Sequence, residues 1–107
     1  MIKLYWTEIR FANDNKKLFS SGVSPKKLWV FEDSGGDNLA KAEFWDGVPN
    51  AVGSVLVARI HARNGNASWQ KGQENEVFPF STAVWVKLTG TAIVAMQTMG
   101  NPTGPSA

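Results

Sequence analysis

Cysteine is absent from this 107-residue chain, and histidine occurs only once. The lack of cysteine excludes disulfide frameworks, thiol nucleophiles and thiolate zinc sites, and a single histidine cannot build a multi-histidine metal centre. His61 stands between Arg59 and Arg63, with no carboxylate near it in sequence to orient its ring as a general base of this type requires. We therefore expect a protein that is not an enzyme and that holds no metal and no cofactor.

Long apolar runs and a strong excess of one charge are also missing. No run reaches the ~18 apolar residues that cross a bilayer, and the first residues lack the basic-then-apolar pattern of a signal peptide. We expect no transmembrane segment, no signal peptide and no membrane partner. The formal net charge is only +2. This charge is too small to make a polyanion the default partner, so nucleic acid is not the expected ligand.

The length indicates one domain, since domains span roughly 100–200 residues. Hydrophobic residues make up 43% and charged residues 19% of the chain, which is typical of an ordinary globular protein. The last residues are rich in glycine and proline and carry no charge. We expect a single domain over residues 1–99 and a flexible, turn-rich tail over residues 100–107.

A first hairpin is predicted in the middle of the chain. Residues 53–62 begin with an apolar, β-branched run and then alternate between polar and apolar side chains, which predicts a strand. The Asn64-Gly65 dipeptide that follows is a strong hairpin signal, because a type I′ turn needs positive φ at both central positions. A two-residue turn there would place Ile60 opposite Trp69.

A second hairpin is predicted closer to the C-terminus. Residues 84–88 and 91–96 are apolar on both faces and flank a Thr89-Gly90 dipeptide. A turn at this dipeptide would pair Val86 with Ile93. Because both faces of such an arm need cover, we expect it to lie between two layers or at a subunit contact.

The remaining pattern is also mainly extended. Residues 3–11 predict a strand with a bulge near Thr7-Glu8, because the apolar residues change parity there. Residues 39–45 fit either a short helix or a strand over 41–45. About six strands separated by Gly, Pro and Asn turns predict an all-β fold, which is a single antiparallel β-sandwich or a jelly-roll-like small barrel with at most one short helix.

The most unusual feature is the absence of charge after Lys87. A solvated surface normally carries charges along its length, so residues 88–107 are either covered by another molecule or form a central strand followed by a neutral tail. In the first case the segment is the interface of a homo-oligomer or docks on a larger assembly, and apolar anchors supply most of the affinity. The expected anchors are Trp85, Val94, Met96 and Ala92.

An alternative function follows from the five tryptophans, which are many for one small core. Exposed indoles offer flat faces that stack on sugar rings or on unpaired bases. The alternative is a monomeric β-barrel binding module for carbohydrate or single-stranded nucleic acid. Its expected ligand-binding residues are Trp69, Tyr5, Arg59 and Arg63.

The small, cysteine-free chain has Asn-Gly and Thr-Gly turns, and residues 83–96 (AVWVKLTGTAIVAM) read as a strand pair near its end. In these respects it resembles the small all-β accessory proteins of tailed-bacteriophage particles, of the head-decoration or fibre type. The resemblance implies a structural protein that binds a capsid or further copies of itself, often as a trimer, and that has no catalytic residues. It also implies a location in the virion, with the cytoplasm as the other expectation.

Overall fold

Extended backbone dominates the computed structural model, which describes residues 4–19, 25–33, 38–63, 65–71, 78 and 80–99. Within these ranges there are six antiparallel strands and no helix, so the predicted all-β class is confirmed. The same ranges contain no helical segment of the length and hydropathy that a membrane crossing requires. The strands are β1 (Leu4–Phe19), β2 (Pro25–Glu32), β3 (Leu39–Asp46), β4 (Val55–Arg63), β5 (Ala67–Lys71) and β6 (Val84–Met99).

The central strand of the sheet is β6, because it has partners along both edges. β1 pairs with it over nearly its whole length, from Leu4 opposite Met99 to Phe19 opposite Val84. On the other edge, β2 pairs with the C-terminal part of β6 and β3 with the N-terminal part, so these two strands follow each other end to end. β5 then pairs with β2, and β4 pairs with β3.

The sheet consequently has two halves. The β2 half contains β2, β5, residues 4–12 of β1 and residues 91–99 of β6. The β3 half contains β3, β4, residues 14–19 of β1 and residues 84–89 of β6. The sheet bends between the halves and nearly closes into a small barrel, so the inward-facing side chains of both halves share one core. Its fully buried members include Phe19, Leu28, Val30, Phe44, Val84, Val86, Val94 and Met96.

The two halves meet at Gly90, where the sequence predicted a hairpin turn. Gly90 has a φ of 92° but lies inside β6, and its N–H donates a 2.8 Å hydrogen bond to Oδ1 of Asn13, which itself has a φ of 45°. The predicted Thr89-Gly90 hairpin is therefore wrong: Val86 and Ile93 lie on the same strand. The physical reason is that a positive-φ glycine serves a bend or bulge as well as a turn, and β1 bulges beside it.

A tight turn follows Arg63, but the hairpin that the Asn64-Gly65 dipeptide was expected to close does not form, and Asn64 itself lies outside the described residues. The Asn66 N–H donates to the Arg63 carbonyl at 2.9 Å, and Gly65 has a φ of 74°. Beyond the turn, β5 pairs with β2, so Trp69 stands opposite Trp29 rather than Ile60. The carboxylate of Glu32, at the end of β2, accepts a 2.8 Å hydrogen bond from the Gly65 N–H and thereby holds the turn against β2.

Two further expectations are settled by the strand register. β1 has no irregularity at Thr7-Glu8, and its register shifts lie near Asn13 and Leu18 instead. No bulge is needed at the earlier position because Trp6 is on the outer face of the sheet, where 48% of its surface is exposed. Residues 39–46 form strand β3 and not a short helix.

Within the described residues, most of the uncharged segment that begins at Leu88 is covered by the chain itself. Ala92, Val94 and Met96 are completely buried between residues of the chain's own core. The structure thereby corrects the expectation that these three side chains are interface anchors. β6 has partners on both edges and packs on the core, so its inward side chains are shielded from water without any second molecule. Trp85 is half-buried, and the expected tail over residues 100–107 lies outside the described residues.

We expect the substitution Gly90→Ala to destabilise the fold by about 2–3 kcal/mol. An added Cβ would meet the Leu39 carbonyl oxygen at 2.5 Å and the Ala40 Cα at 3.2 Å. Both are backbone atoms, so the clash cannot be relieved by turning a side chain. Urea unfolding of the two proteins measures the difference.

The matched control is Gly53→Ala, because Gly53 also has a positive φ of 86° but has nothing within 4 Å of an added Cβ. Its expected loss is about 1 kcal/mol, from the backbone conformation alone. Equal losses for the two variants would show that the close approach of Gly90 to β3 has no energetic weight.

Candidate functional site

Several acidic side chains of the described residues make contacts between distant segments of the fold. Glu32 accepts the hydrogen bond from Gly65, and Asp33 forms an ion pair with Arg10 across the strands. In the described ranges no group of three or more His, Cys, Asp or Glu side chains could hold a metal ion.

The β3–β4 connection is the most exposed apolar part of the described chain. No charged residue occurs between Asp46 and Arg59, and four large aliphatic side chains in this stretch face solvent. Val52 is fully exposed and Val55 is 58% exposed. We call this surface the apolar loop; its exposed residues are Val48 and Val52 on the connection and Val55 and Leu56 at the start of β4.

Backbone hydrogen bonds hold the apolar loop in two successive turns. The Ala51 N–H donates to the Val48 carbonyl, and the Ser54 N–H donates to the Ala51 carbonyl, both at 3.1 Å. Asn50 and Gly53 adopt the positive φ values that such tight turns need. The turns hold the loop in a defined arrangement in which Pro49 is buried and Val48 and Val52 face solvent.

Asp46 anchors the base of the apolar loop. Its carboxylate accepts hydrogen bonds from the Ser81 N–H and hydroxyl, both at 2.9 Å, from the Thr82 N–H at 2.8 Å and from the Ala83 N–H at 3.3 Å. Burial raises the pKa of the Asp46 carboxyl, but these hydrogen bonds together outweigh it and hold the pKa below its ordinary value. The loop is thus tied to the segment that leads into β6.

A second exposed feature is a pair of tryptophans on the outer face of the β2 half. The ring centroids of Trp6 and Trp29 are 4.5 Å apart with an interplanar angle of 56°. The Lys27 Nζ lies 4.9 Å from the Trp29 centroid, and the Trp6 indole N–H donates to Glu8 at 3.2 Å. We call Trp6 and Trp29 the indole pair. It offers an aromatic surface with polar groups at its margin.

The outer face of the β3 half is basic. On β4, Arg59, His61 and Arg63 are exposed, while the intervening Ala58, Ile60 and Ala62 are buried. Residues that stand directly opposite each other on antiparallel strands share a face. The register therefore places further residues on this face. We call the face the basic face, after its cations and indoles. These are Lys17, Lys41, Lys87, Arg59, Arg63, Trp45 and Trp85.

Glu43 lies within the basic face but is 8% exposed. Its carboxylate accepts hydrogen bonds from the Trp45 indole at 3.3 Å and from Arg59 Nε at 3.1 Å, and Arg59 Nη2 is 3.0 Å away. Burial raises the pKa of the Glu43 carboxyl. These hydrogen bonds and the charges of Arg59 and Lys87 outweigh that effect, so the pKa is lower than its ordinary value.

The sequence-predicted ligand residues do not form one site. Arg59 and Arg63 lie together on β4, in the β3 half. Tyr5 and Trp69 belong by backbone to β1 and β5 in the β2 half, and their side chains lie outside the described part of the structure. Trp85, expected as an interface anchor, joins Arg59 and Arg63 on the basic face, where the Lys17 Nζ is 5.9 Å from its ring centroid.

Sequence reasoning missed the apolar loop and the indole pair. The signal for the loop was the charge-free stretch of residues 47–58, but its valines also fit the start of a buried strand. The indole pair could not be found from spacing, because Trp6 and Trp29 lie on strands that only β6 joins.

Comparison with protein-family models and with curated protein sequences gives no match for this chain.

We expect the substitution Asp46→Asn to lower the free energy of unfolding at pH 7 by about 1–2 kcal/mol, because a charged acceptor of several hydrogen bonds is lost. The folded-state pKa is lower than the ordinary value of 3.8, so an acidifying medium protonates the unfolded chain first. The contribution is present above pH 3.8 and disappears as the pH falls toward the lowered value. Chemical unfolding of both proteins from pH 7 to pH 2 measures it.

The control is Asp33→Asn, since Asp33 is a solvent-exposed partner of Arg10 and such pairs contribute about 0–1 kcal/mol. A difference between wild type and Asp46→Asn that stays constant over the whole pH range would contradict the role of the charged carboxylate.

Proposed function

We propose that the protein is a non-catalytic interaction protein that self-associates or docks on a larger protein assembly through the apolar loop. The observation that carries the proposal is the exposure of Val48, Val52, Val55 and Leu56 on an ordered loop without charge. Single exposed aliphatic side chains are common, but a cluster of them on one projecting loop is typical of interaction sites.

The energetics favour a contact at this loop. Complete burial of one such aliphatic side chain contributes about 1.5–3 kcal/mol. The loop is already held by its own turns and by Asp46, so ordering it on binding costs little entropy. Several side chains on one preorganised loop can therefore supply the central anchor of an interface.

The chain's resemblance to accessory proteins of phage particles supports one specific form of this proposal. In that form the larger assembly is a virus particle, and the protein is a decoration or fibre-type component that acts as a homo-oligomer. This role needs no catalytic group, which agrees with the structural use of the described carboxylates.

The first test is the oligomeric state. We expect the molar mass from light scattering to rise with protein concentration over roughly 1–100 µM, as mass action requires for an associating protein. The substitution Val52→Asp should return the protein to a monomer, because a charge at the tip of the loop cannot be buried without a partner.

The matched control adds the same charge elsewhere: Asn66→Asp, at the exposed turn between β4 and β5, should associate as wild type does. A wild-type protein that stays monomeric at every concentration would contradict self-association and leave docking on a different protein assembly as the form of the proposal to examine.

A second candidate function is carbohydrate binding by the indole pair. The observation that favours it is the exposure of Trp6, 48% of whose surface is accessible, next to Trp29 and the polar groups of Glu8 and Lys27. An indole face with nearby hydrogen-bonding groups suits the apolar face and the hydroxyl rim of a sugar ring.

Titration of intrinsic fluorescence with cello-, chito- and malto-oligosaccharides tests this function. We expect one series to change the emission, and Trp6→Ala to weaken that binding about tenfold, since a stacked ring contributes on the order of 1 kcal/mol beyond its burial. The control Trp85→Phe, in the other half of the sheet, should bind as wild type does. No response to any of the three series would remove the carbohydrate hypothesis.

A further inference from the structure

The outer face of the β3 half carries five of the ten lysine and arginine residues of the described strands. Five cations lie on it, from four adjacent strands, and Glu43 is the one carboxylate that the register of the described residues places among them. The outer face of the β2 half differs: there Glu8 and Asp33 accompany Arg10, Lys27 and, by register, Lys71. The outer face of the β3 half is therefore the more basic of the two.

Glu43 does not cancel the charge of this face. It is nearly buried, and it binds the Arg59 guanidinium and the Trp45 indole. Among the cations of this face, Arg59 is the one whose charge Glu43 neutralises most. The other four cations, Lys17, Lys41, Lys87 and Arg63, lie around this pair and give the basic face its positive potential.

Two indoles stand side by side among these cations. Trp45 on β3 is directly opposite Trp85 on β6, and both are half-buried. Cations in successive positions on one face of a strand are about 7 Å apart, and neighbouring strands are about 4.8 Å apart. The face thus combines a two-dimensional array of cations with two flat aromatic groups, on a sheet surface and not in a deep cleft.

We infer that the basic face binds single-stranded nucleic acid, with the cations along the phosphate backbone and the indoles against unpaired bases. Charge complementarity identifies a polyanion as the occupant, and the aromatic groups favour a strand whose bases are unstacked. A duplex hides the faces of its bases, so this surface would meet only its phosphates. The inference does not rest on the apolar loop, although Leu56 of that loop stands directly opposite Trp45.

Fluorescence anisotropy tests the inference. The probe is a fluorescein-labelled oligothymidylate of about 15 nucleotides, a length close to the upper site size of small β-barrel domains. If the four cations besides Arg59 each neutralise one phosphate, the affinity should fall roughly 50-fold between 50 and 200 mM salt. The double substitution Lys41→Gln and Lys87→Gln should weaken binding roughly tenfold at low salt and reduce the salt dependence by about half.

The matched control removes the same charge from the opposite side: Arg10→Gln with Lys27→Gln, on the outer face of the β2 half. All variants are first compared by circular dichroism and thermal unfolding, so that a folding defect is recognised. Wild-type affinity in the control and loss in the Lys41 and Lys87 variant support the basic face as the site.

Three results would overturn the inference. The first is no binding of the oligonucleotide at 50 mM salt, and the second is an equal loss in both double variants. The third is equal or tighter binding of a duplex of the same length, or of phosphatidylserine vesicles, which would show that the surface responds to negative charge alone. The single variant Trp45→Phe should still bind the oligonucleotide more tightly than the duplex, because phenylalanine preserves a stacking face. That result would support the site.

Discussion

The structure depends on a single long strand that changes direction without leaving the sheet. At Gly90 the chain adopts a backbone conformation that favours glycine, and Asn13 on the neighbouring strand accepts its N–H. β6 can therefore remain hydrogen-bonded to β1 on both sides of the bend, while β2 and β3 divide its other edge. This arrangement folds one sheet over its own core and supplies two layers from a single set of strands.

The same bend separates the surfaces of the molecule. The indole pair belongs to the β2 half of the sheet and the basic face to the β3 half, although each includes a residue of β1. The apolar loop connects the end of β3 to the start of β4 and belongs to the β3 half. Each surface therefore has its own chemistry: aliphatic side chains on the apolar loop, cations and indoles on the basic face, and aromatic rings at the indole pair.

Much of the fold was predictable from the sequence, and what was not predictable concerns pairing between distant segments. The extended character of the strands and the turn at Gly65 follow from local pattern and turn chemistry. The role of Gly90 does not, because the residue that decides between a turn and a bend is Asn13, 77 positions away. Likewise, the apolar pattern of Ala92, Val94 and Met96 fits a central strand as well as an interface strand, so the sequence alone does not distinguish them. The parity of β4 already placed Arg59 and Arg63 on one face, but only the register with β3 and β6 adds Lys41, Lys87, Trp45 and Trp85.

The position of β6 in the sheet has a consequence for the order in which the fold can form. It is the last of the described strands along the chain, yet β1, β2 and β3 all depend on it for their ladders. As the polypeptide emerges from the ribosome, β1 has no described partner until nearly one hundred residues have been made. Such long-range pairing belongs to the slow-folding class of topologies. The nascent chain therefore exposes the apolar side of several strands during synthesis, and folding is completed only after β6 has been released.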